Sequence, residues 1–137
     1  MTPTAVWWKR KPNAYRSLAR AVEVFLTLPQ PLVEGEQVIL LAGGSNQTVV
    51  ALNRLDGREL WKSLSAAESG YSAPLIRTLA GQRQLIVWHS DGLAGLTPDS
   101  GKVLWSVPHA TKMGMSITTP AIEGNRLAVS SQYEGAL

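Results

Sequence analysis

The sequence predicts an all-β protein: a partial β-propeller with two complete four-stranded blades and the start of a third, preceded by an atypical N-terminal extension. Three observations support this fold class. The chain of 137 residues is 45% hydrophobic, and it contains no apolar run long enough to span a membrane as a helix. Its apolar residues form short runs separated by glycine turns, and these runs recur with a period of 44 residues. A blade of four strands occupies roughly 40–50 residues, so this period is typical of a propeller.

Residues 1–30 differ from the rest of the chain because they contain five basic residues and one acidic residue. The apolar residues in the middle of this segment fit a short amphipathic helix and a β-strand equally well, so both remain open. The segment matches a secretory signal poorly, because Glu23 and Thr27 interrupt its apolar stretch. An organelle transit peptide or a membrane-surface helix has a similar composition. We interpret residues 1–30 as a basic extension, with Pro29 and Pro31 as a linker or strand-entry signal at its boundary.

The rest of the chain contains an internal repeat. Four pairs of residues are each separated by 44 positions: Leu52 and Leu96, Gly57 and Gly101, Leu60 and Leu104, and Trp61 and Trp105. A proline followed by apolar residues opens each unit, at Pro31, Pro74 and Pro120. Four coincidences at one period indicate a true repeat. The predicted blades are approximately residues 31–61, 74–105 and 120–137, the last of them truncated.

Each unit predicts consecutive short strands rather than helices. The first apolar runs of the three units are Val38–Leu41, Leu85–Trp88 and Leu127–Ser130. The first two runs are nearly continuous, which predicts sheets that are covered on both faces. A second run follows, Val49–Leu52 or Leu93–Leu96, and then Asp56-Gly57 or Ser100-Gly101. A small polar residue before a glycine that can adopt positive φ favours a hairpin turn with a bulge.

The residues around these turns resemble the repeat Ala-x-Asp-x-x-Thr-Gly-x-x-x-Trp. The pattern is kept at Ala51, Gly57 and Trp61 in residues 51–61, and at Gly101 and Trp105 in residues 95–105, where Gly95 stands in place of the alanine as a further structural repeat position. Asn53 and Asp56, or Thr97 and Ser100, replace the Asp and Thr of the pattern, and their side-chain oxygens can still cap the turn. The pattern is similar to the pyrroloquinoline-quinone (PQQ)-like repeat of quinoprotein-type β-propellers. The resemblance implies that Trp61 and Trp105 dock between neighbouring blades and are structural.

The same resemblance bears on catalysis. Quinoprotein dehydrogenases hold PQQ in a central funnel with Ca²⁺ and use an aspartate as base, and the alcohol dehydrogenases cover PQQ with a disulfide between adjacent cysteines. This chain has no cysteine, and Asp56, Asp91 and Asp99 lie beside Gly or Ser, where turn capping is the expected role. His89 and His109 lack a paired nucleophile or carboxylate in a known motif and are expected to be packed or loop histidines. We predict no catalytic residue and no metal site, with PQQ and Ca²⁺ only under an enzymatic alternative.

Ligand contacts are predicted in the links between blades, because segments that enter the innermost strand line the funnel of a propeller. The candidates for cofactor or ligand contact are Tyr71, Ser72, Lys112 and Ser116. Ordinary loop roles are the alternative for all four residues.

The charge of the repeat region argues against nucleic acid as a partner. Residues 31–137 contain eight basic and nine acidic residues, so this region has no basic stripe that could neutralise several phosphates.

The sequence therefore favours a non-catalytic propeller that serves as a binding or assembly scaffold, with a protein or an envelope polymer as its partner. The alternative is a quinoprotein, that is, a PQQ-dependent alcohol dehydrogenase or a remnant of one. The resemblance implies a location in the bacterial periplasm or cell envelope. Because a propeller needs four or more blades, we expect a fragment of a longer protein, or a ring that closes by oligomerisation.

Overall fold

The computed structural model describes residues 31–112, 115–131 and 135–136, and the predicted extension over residues 1–30 lies outside them. The described residues contain no α-helix, and their strands form two four-stranded sheets and two short two-stranded pairs. The predicted all-β class with partial propeller blades is confirmed.

The first sheet is an antiparallel meander in which every strand pairs with its neighbour in sequence. Its strands are β1 (Leu32–Glu34), β2 (Gln37–Leu41), β3 (Val49–Asn53) and β4 (Glu59–Ser63). Ala51 lies opposite Trp61, and the register shifts directly after Ala51, between Ala51 and Leu52. This shift is the bulge that the turn sequence predicts.

The second sheet repeats the same strand order and the same irregularity. Its strands are β5 (Leu75–Leu79), β6 (Gln82–His89), β7 (Gly92–Leu96) and β8 (Val103–Pro108). Gly95 lies opposite Trp105, and the register shifts between Gly95 and Leu96. The sequence repeat is therefore also a repeat of strand pairing.

A third unit begins after Pro120. It contains β9 (Ala121–Glu123), β10 (Arg126–Ala128), β11 (Ser130–Ser131) and β12 (Gly135–Ala136). The single strand predicted over 127–130 is divided at Val129, which is buried against the second sheet, with Trp88 and Leu93. The start of a third blade is thus present.

Side-chain oxygens support the two repeat turns, as their sequences predict. Asn53 Oδ1 accepts the N–H of Leu55 at 2.8 Å in the first turn, and Thr97 Oγ1 accepts the N–H of Lys102 at 3.2 Å in the second. The glycine that closes each turn has positive φ, 73° at Gly57 and 66° at Gly101. Both turns therefore need a residue without a Cβ at the same place.

The main core lies between the first and second sheets. It consists of apolar side chains that are at most 2% exposed: Ile39, Leu41, Val49 and Ala51 from the first sheet, and Leu85, Val87, Ala94 and Leu96 from the second. Residues 85–88 of β6 are all fully buried, which confirms the prediction of a sheet covered on both faces. Burial of each large side chain stabilises the fold by about 1.5–3 kcal/mol, so the sheets hold each other in place.

A glutamine and a tryptophan connect the first sheet to the second. Gln37 Oε1 accepts the indole N–H of Trp61 at 3.1 Å, and Gln37 Nε2 donates to the carbonyl of Pro98 at 2.8 Å. The ring of Trp61 lies directly against Gly101, where any Cβ would overlap it. An ion pair between Glu34 and Arg83 also connects the two sheets.

Candidate functional site at the blade linkers

Two linkers and one tight turn meet at the edge of the sheets where the chain passes from one unit to the next. Linker 1 comprises residues 64–74, between β4 and β5. Linker 2 comprises the described residues 109–112 and 115–120, between β8 and β9. The rim turn comprises residues 90–91, between β6 and β7. We call this assembly of three segments the rim.

Linker 1 is fastened to the rim turn by three hydrogen bonds. The backbone N–H of Ser90 donates to the carbonyl of Glu68 at 3.4 Å, and the N–H of Glu68 donates to Ser90 Oγ at 3.2 Å. The N–H of Ala67 donates to Asp91 Oδ2 at 3.3 Å. Both residues of the rim turn therefore hold the same short part of linker 1.

Linker 2 is fastened to the other side of the rim turn. The N–H of His109 donates to the carbonyl of Asp91 at 3.0 Å. The N–H and hydroxyl of Thr111 donate to the carbonyl of Ser90, at 2.8 and 3.3 Å. The rim turn is thus the common anchor of two linkers that belong to different blades.

Two of the three aspartates expected to cap turns, Asp56 and Asp91, use their carboxylates differently. Asp56 Oδ1 accepts the N–H of Arg58 at 2.9 Å, which is the predicted capping of its own turn. The carboxylate of Asp91 accepts the Ser90 hydroxyl within the rim turn and, in addition, reaches the N–H of Ala67, 24 residues away. Sequence spacing shows the first bond, but it gives no sign of the second.

His89 precedes the rim turn and is only 5% exposed, which agrees with the expectation of a packed histidine. Its Nδ1 accepts the N–H of Asp91 at 3.2 Å, so the bond requires the neutral imidazole with an unprotonated Nδ1. Burial lowers the pKa of His89 below its usual value, and the nearby carboxylate of Asp91 opposes this effect. His89 is therefore held in its neutral form.

The structure brings three of the four candidate ligand contacts into one area. The N–H of Tyr71 donates to the carbonyl of Ser116 at 3.0 Å, and Ser72 is the next residue of linker 1. Ser116 is fully buried, and its hydroxyl donates to the carbonyl of Trp88 at 3.3 Å. The hydroxyl of Ser72 is also buried and has no hydrogen-bond partner. Lys112 lies earlier in linker 2, four residues before Ser116, and is exposed.

The exposure of these residues separates surface contacts from interior ones. Tyr71 is 48% exposed and Lys112 is also exposed, so both can meet a molecule that approaches from solvent. Ser72 and Ser116 are 1% and 0% exposed, so a direct contact with a large ligand requires the rim to open. Their assignment as ligand contacts remains a prediction.

The close approach of the two linkers depends on a glycine that the sequence reasoning did not single out. Gly70 has a φ of 74°, and a Cβ on it would overlap the hydroxyl of Ser116. Any side chain at this position would push linker 1 away from linker 2. The backbone at Gly70 therefore lies closer to Ser116 than a residue with a Cβ could lie.

Ile117 is a second residue that sequence reasoning missed. It follows Ser116, whose carbonyl bonds to Tyr71, and it is 45% exposed. Tyr71 and Ile117 each stand three positions before a blade-opening proline, Pro74 or Pro120. This correspondence is the signal in the sequence, because it places a large apolar residue at the same point of two successive linkers.

Among residues 31–112, 115–131 and 135–136, no three His, Asp or Glu side chains lie close enough together to hold a metal ion. The carboxylates of Asp56 and Asp91 already accept backbone N–H groups. That this chain works without Ca²⁺ and PQQ stays a prediction.

In the portion of the chain with described structure, no helix has the length and apolar character to cross a bilayer.

Comparison with known proteins agrees with the repeat and with the sheets. A family model described as outer membrane protein assembly factor BamB matches residues 4–137. The match begins at residue 4, inside the predicted N-terminal extension, so the boundary at residue 30 stays a prediction. A search of curated proteins found no match. Because the family model spans nearly the whole chain, the protein belongs to the PQQ-like repeat family of the BamB type.

Proposed function

We propose that this chain is part of a non-catalytic assembly scaffold and that its rim binds a protein partner. The carrying observation is the pair of exposed apolar side chains, Tyr71 and Ile117, on two linkers that are bonded to each other and to the rim turn. Contiguous exposed apolar surface is typical of protein-binding sites, and aromatic residues are enriched among the residues that dominate binding. The family supports a protein partner, since its description is that of an assembly factor.

The geometry of the rim suits a rigid platform. Backbone hydrogen bonds fix both linkers to the 90–91 turn, so little conformational entropy is lost when a partner binds. We propose that Tyr71 is the central contact and that Ile117 extends the apolar surface beside it. By family likeness, we place this function in the bacterial cell envelope.

Photo-crosslinking tests the proposal at residue resolution. A photoreactive phenylalanine derivative replaces Tyr71 or Ile117 in turn, and the full chain is irradiated in an envelope extract. The matched control is Leu55, an apolar residue in the first repeat turn that is 52% exposed. We expect the same protein adduct from both rim positions and none from position 55. Absence of an adduct at both rim positions, or an equal yield at position 55, would contradict the proposal.

We further propose that the scaffold works without PQQ and Ca²⁺. The lack of cysteine and the use of Asp56 and Asp91 as backbone acceptors support this proposal. The test is to add PQQ with Ca²⁺ and record both its absorbance spectrum and dye-linked alcohol oxidation. A perturbed spectrum together with oxidation would favour the dehydrogenase alternative.

A further inference from the structure

We propose that the rim is a pH-responsive junction, in which protonation of His89 breaks the bond to the rim turn and releases both linkers. This inference goes beyond the proposed function and holds whether or not the rim binds a partner. It concerns one buried histidine and the hydrogen bonds that depend on it.

The first step is a reversal of hydrogen-bonding capacity at one atom. In the neutral form, His89 Nδ1 accepts the N–H of Asp91 at 3.2 Å. The imidazolium carries a hydrogen on both ring nitrogens and has no acceptor. Protonation therefore sets two donors, Nδ1–H and the Asp91 N–H, against each other in a site that is only 5% exposed.

The second step carries this conflict to the linkers. Asp91, whose N–H loses its acceptor, also holds both linkers. Its carboxylate accepts the N–H of Ala67 from linker 1, and its backbone carbonyl accepts the N–H of His109 from linker 2. Its neighbour Ser90 holds Glu68 and Thr111 in the same way. A change in the position of the rim turn therefore disturbs the contacts of both linkers at once.

The charged groups around His89 determine the direction of the effect. Asp91 is the carboxylate that favours the protonated form of His89, whereas burial outweighs it and lowers the pKa. On the packed segments, the titratable residues are Glu68 and Tyr71 of linker 1, and His109 and Lys112 of linker 2. The neighbouring strand β7 contributes none, because its residues are Gly, Leu and Ala.

Linkage gives the sign of the pH dependence. In an open rim, His89 is solvated and has its usual pKa, while in the closed rim its pKa is lower. The open form therefore binds more protons as the pH falls below the usual histidine value. Above that value the closed rim is fully favoured, and at lower pH the open population rises.

Hydrogen exchange on the full chain tests this junction, with protection factors compared at about pH 5 and about pH 7.5, on either side of the usual histidine pKa. We expect protection of the Ala67, Asp91 and Thr111 amides to fall several-fold at the lower pH, while the core amide of Val87 keeps its protection. In His89→Asn, the amide oxygen can accept the Asp91 N–H but does not titrate, so the pH effect should vanish. His109→Asn is the matched control and should retain it.

Unchanged protection of the three rim amides in the parent chain would overturn the proposal, as would an equal loss in His89→Asn. If His89→Asn does not fold, nuclear magnetic resonance of the parent chain decides. The amide signal of Asp91 should then shift with the same pKa as the His89 ring. A shift that follows the His109 ring instead would also overturn the proposal.

Discussion

Each of the two repeat tryptophans bonds to a glutamine, but the surroundings of the two rings differ. The indole N–H of each donates to a glutamine, Trp61 to Gln37 at 3.1 Å and Trp105 to Gln84 at 2.7 Å. The ring of Trp61 lies against Gly101 of the next sheet, whereas the ring of Trp105 lies over Gly95 of its own sheet. Trp61 thus meets the turn of the second sheet at Gly101, and Trp105 meets its own sheet at Gly95.

The glutamines differ in the same way. Gln37 Nε2 donates across the interface to the carbonyl of Pro98, while Gln84 Nε2 donates to the carbonyl of Leu79 in its own sheet. The amide of Gln37 thus connects the two sheets, whereas the amide of Gln84 bonds within the second sheet. At Trp61 and Gln37, the pair therefore joins the two sheets, because the second sheet supplies the Gly101 turn and the Pro98 carbonyl.

Truncation of the tryptophans should change the free energy of unfolding more than any other substitution considered below. We expect Trp61→Ala to lower the free energy of unfolding by about 3–5 kcal/mol, because it opens a cavity in the interface and leaves Gln37 Oε1 without its donor. Trp105→Ala should cost less, since Trp105 contributes to the smaller cluster around Trp88 and Val129. Urea unfolding of both variants measures the difference. An equal loss would show that the two sites are energetically equivalent.

Gly101→Ala is the next largest expected effect. Positive φ costs an alanine about 1–2 kcal/mol, and overlap with Trp61 adds about 1–3 kcal/mol. Gly81→Ala is a matched control, because Gly81 has a φ of 75° but no atom within 4 Å of an added Cβ. Thermal or urea unfolding should show a larger loss for Gly101→Ala. Equal losses would mean that the tryptophan yields without cost.

Replacement of the glutamines separates the interface bond from the internal one. Gln37→Leu leaves two polar groups unpaired, the Trp61 N–H and the Pro98 carbonyl, so we expect a loss of about 1–3 kcal/mol. Gln37→Glu keeps an acceptor for the indole but removes the donor to Pro98. It should therefore fall between the parent and Gln37→Leu in urea unfolding. If Gln37→Glu matches the parent, the bond to Pro98 contributes nothing measurable.

The smallest expected effect concerns the ion pair between the sheets. Hydrogen bonding to Arg83 lowers the pKa of Glu34 below its usual value, so the folded state favours the ionised form. The contribution of this pair to stability is therefore present above the usual glutamate pKa and is lost as the pH falls through the lowered value. Both side chains are partly exposed, so the effect should be small and should weaken with salt.

Arg83→Gln provides the control for that pH dependence. The variant should lose the part of the acid-dependent destabilisation that belongs to Glu34, measured by urea unfolding between about pH 3 and 6, around the usual glutamate pKa. An identical acid dependence in the parent and the variant would show that the pair does not contribute.

Local chemistry explains which features could be predicted from the sequence. The strands, the bulges and the two turns depend on residues close together in sequence, such as Asn53 and Gly57, and they were predicted correctly. Gln37 and Gln84 were missed because they do not follow the period of 44. Each glutamine lies a different distance before its tryptophan, 24 residues in the first sheet and 21 in the second.

Unequal loops cause this offset. Residues 42–48 connect β2 to β3, whereas only residues 90–91 connect β6 to β7. The rim was missed for a related reason, since the bond between Asp91 and Ala67 spans 24 residues and joins two loops without a shared motif. A hydrogen bond between two loops that are distant in sequence leaves no recognisable spacing in either loop.

The neighbour-to-neighbour strand order has a consequence for the growing chain. All pairings of the first sheet lie within residues 32–63, so this meander can close before the second sheet has been made. Its apolar face, which includes Ile39 and Leu41, then lacks its cover until Leu96 has followed. At roughly 5–20 residues per second, that interval lasts a few seconds of synthesis. During this interval the nascent first blade exposes an apolar face to which chaperones and other chains can bind.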